Sequence, residues 1–428
     1  MNAPSINPRN AAARLLGRVL QKHQPLEEAL DPVLQGLSPR DRALARAIAS
    51  TSIRHLGIID QLIGKMLDRP MPEKAQDIRH ILRIGIAQIL FMEVPSHAAV
   101  HDTVSLVPER SKHKGLVNAL LRRTDRQGQK LIAQMDIPRA NTPEWLWDAW
   151  VGHYGEEIAR EIATAHLTEA ELDLSVKNNP EKWAADLEAT LLPTGTLRRS
   201  TMSSLKELQG FDTGEWWVQD AAAALPARLL GDVAGELVID LCAAPGGKTA
   251  QLAAAGADVI ALDRSKNRLK RLEENMARLN LPVTTVVGDA ATFTPEKAPD
   301  AVLLDAPCSS TGTLRRHPDV AYLKSQADVD KLTDLQSRLL DAASQMLEPG
   351  GLLVYSVCSL QPEEGEAQIA ALLERDPSLE REPIQPTETG GVSELINPQG
   401  DLRSLPCHLG GMDGFYAARL RKIYTGIA

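Results

Sequence analysis

Leu237-Val238-Ile239-Asp240-Leu241-Cys242-Ala243-Ala244-Pro245-Gly246-Gly247-Lys248-Thr249 decides how the C-terminal half of this chain is read. Leu237 to Leu241 is apolar but for one aspartate and reads as a buried strand, and a helix is predicted from Lys248 to Ala255. Between them lie small residues that let a ligand approach the backbone where a helix begins. Two ligand types compete for such a junction. Gly247-Lys248-Thr249 fits the end of a Gly-x4-Gly-Lys-Ser/Thr phosphate loop, but the position of its first glycine is Cys242. The glycines are adjacent, so the Gly-x-Gly-x-x-Gly dinucleotide pattern is not matched either.

Outward from this stretch, Val259 to Leu262, Val283 to Val287, Ala301 to Leu304 and Leu352 to Ser356 are further short apolar runs. Helical patterns fill Lys266 to Leu279, Asp328 to Met346 and Glu363 to Arg375. Strands apolar on both faces that alternate with helices predict an α/β fold, a doubly wound Rossmann-like parallel sheet whose ligand binds at the carboxyl ends of the strands. An acid follows each of three strands. Asp263, 21 residues after Cys242, is placed to accept the hydroxyls of an adenosine ribose; Asp289 is within reach of an adenine amino group; Asp305 ends the fourth strand. Three acids in register point to an adenosine ligand that need not carry phosphates.

The fourth strand runs into Asp305-Ala306-Pro307-Cys308-Ser309-Ser310-Thr311-Gly312 and the fifth into Tyr355-Ser356-Val357-Cys358-Ser359. A lone buried cysteine is usually inert packing. Two at the ends of adjacent predicted strands, over the edge that carries the glycine loop, point to thiolate chemistry, with Lys248 near enough to favour ionisation.

The N-terminal part differs. From Arg9 to about Lys130 apolar residues recur at three and four spacing, as in Leu15, Leu16, Val19 and Leu20, which predicts an all-α domain over residues 1–130. Prolines 25, 39, 70, 72, 95 and 108 mark helix boundaries. These 130 residues carry 20 Lys+Arg against 12 Asp+Glu, whereas the rest is strongly acidic and the whole chain has a net charge of −9. Arg110, Lys112, Lys114, Arg122 and Arg123 form the densest basic set, read either as a solvated face or as a phosphate-contacting surface. Residues 131–218 hold all six tryptophans and several prolines, and read as a connecting, RNA-binding subdomain ahead of a catalytic domain over 219–428.

At 428 residues, 43% hydrophobic and 24% charged, the chain has the composition of a globular protein of two or three domains. No apolar run approaches the about 18 to 20 residues of a membrane span, and the polar Met1 to Asn10 lacks the apolar core of a secretory signal. A soluble, cytoplasmic protein is the expectation. Four cysteines without a CxxC pair support neither a disulfide framework nor a zinc site, so no metal is expected.

On Asp240 to Lys248, Asp263, Asp289, the Asp-Ala-Pro-Cys-Ser-Ser run at 305–310, Ser-Val-Cys-Ser at 356–359 and Asp413-Gly414-Phe415-Tyr416, the sequence resembles the RNA 5-methylcytosine methyltransferases. Within them it is most similar to the bacterial small-subunit (16S) ribosomal RNA enzymes with a NusB-like N-terminal domain, a looser likeness that includes Gly115 to Arg122. The resemblance implies S-adenosylmethionine as methyl donor, held by Cys242, Ala243, Ala244, Pro245, Gly246, Gly247 and Lys248 and by Asp263, Asp289 and Asp305. It implies structured 16S ribosomal RNA as partner, with no membrane and no obligate protein partner. It also implies attack by Cys358 and product release assisted by Cys308.

The chemistry needs two such groups, because cytosine C5 accepts a methyl only after a nucleophile adds to C6, and the C5 proton must later leave so that the nucleophile can be eliminated. Spacing alone does not order the thiols, and Cys308 stays open as the competing nucleophile. Asp305 is a further candidate for hydrogen bonding to the cytosine edge, with Lys248 nearby. Glu364-Gly365-Glu366 departs from the family's usual Glu-Asn-Glu, and Cys407 matches no family thiol and reads as surface or packing. Transfer RNA is the alternative substrate. A non-catalytic NusB-like RNA-binding factor is the alternative of a different class.

Overall fold

Ser265 shows how local chemistry starts an element: its hydroxyl accepts from Arg268 N and caps a helix that ends at the left-handed Asn280. Leu269, Leu272, Met276 and Leu279 form its buried face at three and four spacing. The structure, a computed structural model, describes residues 7–200 and 205–424. The chain divides into two units, one of residues 1–168 and 314–325, the other of residues 169–313 and 326–428.

The first unit is helical: α1 (Pro8–Lys22), α2 (Leu26–Leu34), α3 (Pro39–Arg54), α4 (Leu56–Met66), α5 (Gln76–Leu90), α6 (Ser96–Val104), α7 (Lys114–Ile132), α8 (Ile137–Asn141), α9 (Glu144–Tyr154), α10 (Glu156–Ala165) and, from far along the chain, α15 (Val320–Leu323). Asn7 caps α1 and Ser38 caps α3, each followed by a proline whose fixed φ suits the first helical position. Ala11, Ala12, Leu15, Leu16 and Val19 of α1 join Ile48, Ala49 and Ile53 of α3 in one core. Helical packing does not stop near residue 130, where composition places a boundary. It continues because α8 seats on α4, where a Cβ on Gly57 would lie 1.7 Å from the Ala140 carbonyl oxygen, and because Asn141 Oδ1 accepts from Ile58 N at 3.0 Å.

The second unit begins with β1 (Leu172–Val176), α11 (Pro180–Asp186), β2 (Thr190–Leu191), β3 (Leu197–Arg199) and β4 (Trp216–Val218). These strands form an antiparallel sheet in the order β2-β3-β1-β4. Residues 169–218 thus belong with the catalytic part instead of standing as a separate connector. Trp183 and Trp216 fill the core of this sheet, Trp217 is buried against the following domain core, and Trp150 is buried in the helical unit. Four of the six tryptophans are therefore packing residues.

The rest comprises α12 (Leu225–Arg228), β5 (Leu237–Leu241), α13 (Gly247–Ala254), β6 (Asp258–Asp263), α14 (Lys266–Leu279), β7 (Thr284–Val287), β8 (Ala301–Asp305), α16 (Gln326–Met346), β9 (Leu352–Val357), α17 (Glu366–Arg375), β10 (Leu379–Arg381), β11 (Leu402–Ser404) and β12 (Phe415–Lys422). The large sheet runs β10-β12-β9-β8-β5-β6-β7, with β11 paired to β12. Strands β5 to β9 are parallel, and β12 enters antiparallel beside β9. Side chains alternate between two cores: Ile239, Val302, Leu304, Leu353 and Tyr355 face one, and Val238, Ala301, Leu303 and Val354 the other. This is the two-sided burial that the apolar runs foretell. From β5 the chain winds one way through β6 and β7 and the other way through β8 and β9, so the end of β5 is the switch point where a crevice opens.

Candidate active site

At that switch point Cys242 takes a left-handed φ of 61° and Gly246 a φ of 103°. Only glycine suits the latter, because a Cβ there would also meet Leu272 Cγ at 2.7 Å. The turn places the start of α13 directly after the strand. Asp263, at the end of β6, is buried; its carboxylate accepts from Ala244 N at 3.2 Å and Ser265 N at 2.8 Å and pairs with Arg268 at 3.4 Å. Oδ1, which accepts only from Ser265 N, keeps a lone pair for a hydroxyl. Asp289, past β7, is exposed and holds its own loop through Ala291 N at 3.0 Å. Asp240 is buried with one oxygen unpaired, and burial pushes its carboxyl up to about 7. The Cys242 thiol is pushed up to about 12 by burial and by Asp263, Asp305 and Asp240, so it is an inert wall of the loop.

Asp305 stands apart from the other acids. It accepts from Lys248 Nζ at 2.7 Å and from Ser356 Oγ at 2.8 Å, which ties the end of β8 to α13 and β9. Lys248 lies over the Phe415 ring, 4.9 Å from its centroid. This ion pair joins the glycine-loop side of the crevice to the thiol side, since Lys248 opens α13 and Ser356 lies two residues before Cys358.

The two thiols meet. Cys308 Sγ is 3.4 Å from Cys358 Sγ, too far for a disulfide and right for a hydrogen bond. Ser310 Oγ lies 3.5 Å from the Cys358 sulfur and 4.0 Å from that of Cys308. The hydrogen bond from Cys308 holds the Cys358 thiol below its ordinary value against the cost of burial, with Ser310 and Lys248 adding to the effect. Cys308 moves the other way, well up, because ionising it would break that bond and place a second anion beside the first. Of the pair, Cys358 is thus the readier to ionise, with Cys308 placed to donate its S–H to it.

A buried carboxylate that the sequence marks only by the departure beside it, at Gly365, fixes both cysteine loops. Glu364 is fully buried and accepts from Ser309 N at 2.8 Å, Ser309 Oγ at 2.5 Å, Ser359 Oγ at 2.5 Å and Gln336 Nε2 at 3.1 Å. Ser309 follows Cys308 and Ser359 follows Cys358, so one side chain sets the spacing of both sulfurs. Arg403 adds a clamp, donating to Ser359 O at 2.7 Å and, through two nitrogens, to Glu366 at 3.0 and 2.5 Å. The departure at Gly365 has a local cause: a Cβ there would lie 2.7 Å from Arg403 and 2.9 Å from Tyr416. Gly312 N donates to Cys358 O at 3.1 Å and Gly414 N to Gly312 O at 2.8 Å, which stitches the Asp413 to Tyr416 run onto the thiol loops. The hydroxyls flanking each cysteine and the Glu364-Gly365-Glu366 run were the available sequence signals for this network, but neither shows that the glutamate reaches both loops.

The basic set on the helical unit is dispersed. Lys114 pairs with Glu109, Arg123 donates to Met66 O and Arg122 to Asn118. Cys407 lies on the half-buried turn after β11, remote in sequence from both thiol loops. Among the described residues no helix is long and apolar enough to cross a membrane.

Comparison with known proteins places the chain in a family. The model of the 16S rRNA methyltransferase RsmB/F family matches residues 227–421, and that of the NusB family matches residues 6–126. A ribosomal RNA small subunit methyltransferase B from Cronobacter sakazakii is 35% identical, over 98% of this chain and 99% of its own. The chain belongs to the RsmB-type methyltransferases. Its relative of the same name from Vibrio cholerae is also 35% identical, over 97% of this chain and 98% of the relative. The crystal structure of PH0851 shares the fold, with a TM-score of 0.75 at 24% identity over 98% of this chain and 99% of the other. The family uses S-adenosylmethionine, and the residues present fit it: a buried strand-end carboxylate with a free lone pair, an exposed one beyond it, and a loop of small residues.

Proposed function

We propose that the protein methylates C5 of a cytosine in 16S ribosomal RNA, with Cys358 as the nucleophile and Cys308 assisting release. The contact between the two sulfurs carries this reading, because it gives the thiols unequal roles before any substrate arrives. Cys242 to Lys248 would hold S-adenosylmethionine by their backbone, with Asp263 on the ribose and Asp289 toward the adenine. That donor supplies a sulfonium-borne methyl carbon, an electrophile. The Cys358 thiolate adds to C6 and pushes the ring electrons to C5. Asp305, fixed by Lys248 and Ser356, is the acceptor for the exocyclic amine of the cytosine. Once C5 is methylated, its proton passes to solvent water, the C5–H electrons restore the ring double bond, and the C6–sulfur bond breaks to return its electron pair to Cys358, whose leaving thiolate the Cys308 S–H stabilises by the same hydrogen bond. A base inside a duplex cannot reach paired thiols in a crevice, so the target nucleotide leaves its stack.

The relatives' names support ribosomal RNA over transfer RNA. A ribosomal substrate places the work in the cytoplasm, and the helical unit supplies the electrostatic grip. Cys358→Ala is expected to give no covalent adduct with 5-fluorocytosine RNA and no methyl transfer, whereas Cys308→Ala accumulates protein on RNA. An adduct formed at the wild-type level by Cys358→Ala would reassign the nucleophile. Bisulfite sequencing of total RNA with and without the gene should show one protected cytosine lost from 16S ribosomal RNA; a loss confined to transfer RNA would overturn the substrate.

A further inference from the structure

A cavity of about 840 Å³ opens in the helical unit, along α1 and beside the start of α5. Arg14, Arg18 and Lys22 line it from α1, Lys74 from the turn before α5, and Lys112 from the loop before α7. Asp77 is the single acid among the lining residues, and none of the five cations forms an ion pair among the described residues. Residues four apart on a helix lie about 6 Å apart along its axis, so the α1 stripe repeats at a spacing commensurate with phosphates along a nucleic-acid strand. Only one of these cations, Lys112, falls in the basic set that the sequence singles out. The others come together through folding.

The wall holds a second feature. His80 is 2% exposed, and its Nε2 is buried without a hydrogen-bond partner. Its Nδ1 faces Arg83 at 3.1 Å, and Arg83 is held by Asp60 at 2.8 and 2.6 Å. A guanidinium only donates, so Nδ1 accepts and the proton of the neutral ring sits on Nε2. Burial and Arg83 push the imidazole down to about 4, which keeps the ring neutral at physiological pH. Across from that edge lies Gly17, which also lines the cavity; a Cβ there would sit 3.8 Å from His80 Cδ2 and 3.9 Å from Nε2. The glycine puts no side chain between this buried imidazole edge and the cavity, and Ile78, Ile81 and Leu106 give the cavity apolar surface.

We propose that this groove seats a single strand of the substrate RNA, its phosphates along Arg14, Arg18 and Lys22 and an acceptor oxygen or nitrogen of one nucleotide on His80 Nε2–H. The proposal rests on RNA being the substrate and locates where the helical unit holds it. An acidic protein would satisfy the cations, but it offers no reason for apolar surface and a neutral donor in the same wall. A nucleotide has phosphates, an apolar ring face and acceptors together.

The test uses the full chain and a short fluorescein-labelled oligoribonucleotide of mixed sequence, followed by anisotropy across a salt series. The triple variant Arg14→Ala, Arg18→Ala, Lys22→Ala is expected to bind about tenfold or more weakly and to flatten the slope of log affinity against log salt by about 2, the loss of three single-strand phosphate contacts. Gly17→Ala meets His80 at ordinary contact distance and favours helix, so its melting temperature should hold or rise while RNA binding falls several-fold. Unchanged affinity and slope in the triple variant would overturn the groove, and unchanged binding by Gly17→Ala would remove His80 from it. Binding of polyglutamate with none of the oligoribonucleotide would overturn RNA as the occupant. Cys358→Ala, measured alongside, should bind the probe as the wild type does and transfer no methyl; retained transfer would sink the proposed chemistry while leaving the groove standing.

Discussion

Two sulfur atoms 3.4 Å apart differ in acidity because only one charge fits between them. The sign of the consequence is definite. The Cys358 thiol is held below its ordinary value first by the Cys308 hydrogen bond, so removing that donor must raise it. The rate of alkylation of Cys358 by iodoacetamide should therefore rise with pH through a midpoint below that of an ordinary thiol, and Cys308→Ala should shift that midpoint upward. A midpoint unmoved in Cys308→Ala would show that Lys248 and Ser310 alone set the ionisation. The sequence made both thiols legible as a pair at strand ends, but their inequality was not, since it depends on a contact across 50 residues. Asp305 shows the same limit: the sequence leaves it between the donor and the cytosine edge, and its lysine and serine partners are seen only in the fold.

At the scale of elements, parallel strands announce themselves because both faces are buried, and β5 appears in the structure at the bounds its apolar run predicts. Strand β12 hides for the opposite reason. It carries Arg419 and Arg421, and Arg419 is buried only because Glu388 and the carbonyls of Leu229 and Pro383 receive it. A buried arginine breaks the apolar pattern that a strand search follows. The small antiparallel sheet is hidden likewise by Arg198, which pairs with the buried Asp173 through two bonds of 2.7 Å. Glu364 belongs at this scale, since it joins the loop after β8 to the loop after β9. Glu364→Ala leaves the Ser309 amide and two hydroxyls without their acceptor, and each buried unsatisfied group costs about 1 to 3 kcal/mol. Unfolding free energy should fall by about 3 kcal/mol, and kcat at a permissive temperature by about tenfold or more, while calorimetric affinity for S-adenosylmethionine is kept. Glu364→Gln, which retains an acceptor oxygen, should recover part of both. A full-rate Glu364→Ala enzyme would mean that the loops hold their spacing without the carboxylate.

At the scale of the whole molecule, the division of the chain matters more than its composition suggests. The polypeptide passes between the two units after Thr168, after Thr313 and after Ser325, so the helical unit is built from two separate stretches. Asp319 accepts from Leu26 N at 2.9 Å at the start of α2, Arg54 donates to the carbonyls of Leu314 and Arg315, and Tyr322 and Leu323 pack on the α1 and α3 core. A truncation near residue 130, suggested by charge and prolines, would cut through continuous helical packing. One at residue 168 respects the N-terminal boundary but strands residues 314–325 without their neighbours. The fragment 169–428 should therefore be cut by trypsin after Arg315, Arg316 or Lys324 within a short digestion, although Arg315 is only 4% exposed in the intact chain. The full chain should resist at those sites under the same conditions, because cleavage there requires opening the helical unit. Equal protection in fragment and full chain would show that residues 314–325 hold their structure through the catalytic unit alone. Protection restored on adding residues 1–168 as a separate chain would show that the helical unit reassembles around this segment from its two stretches.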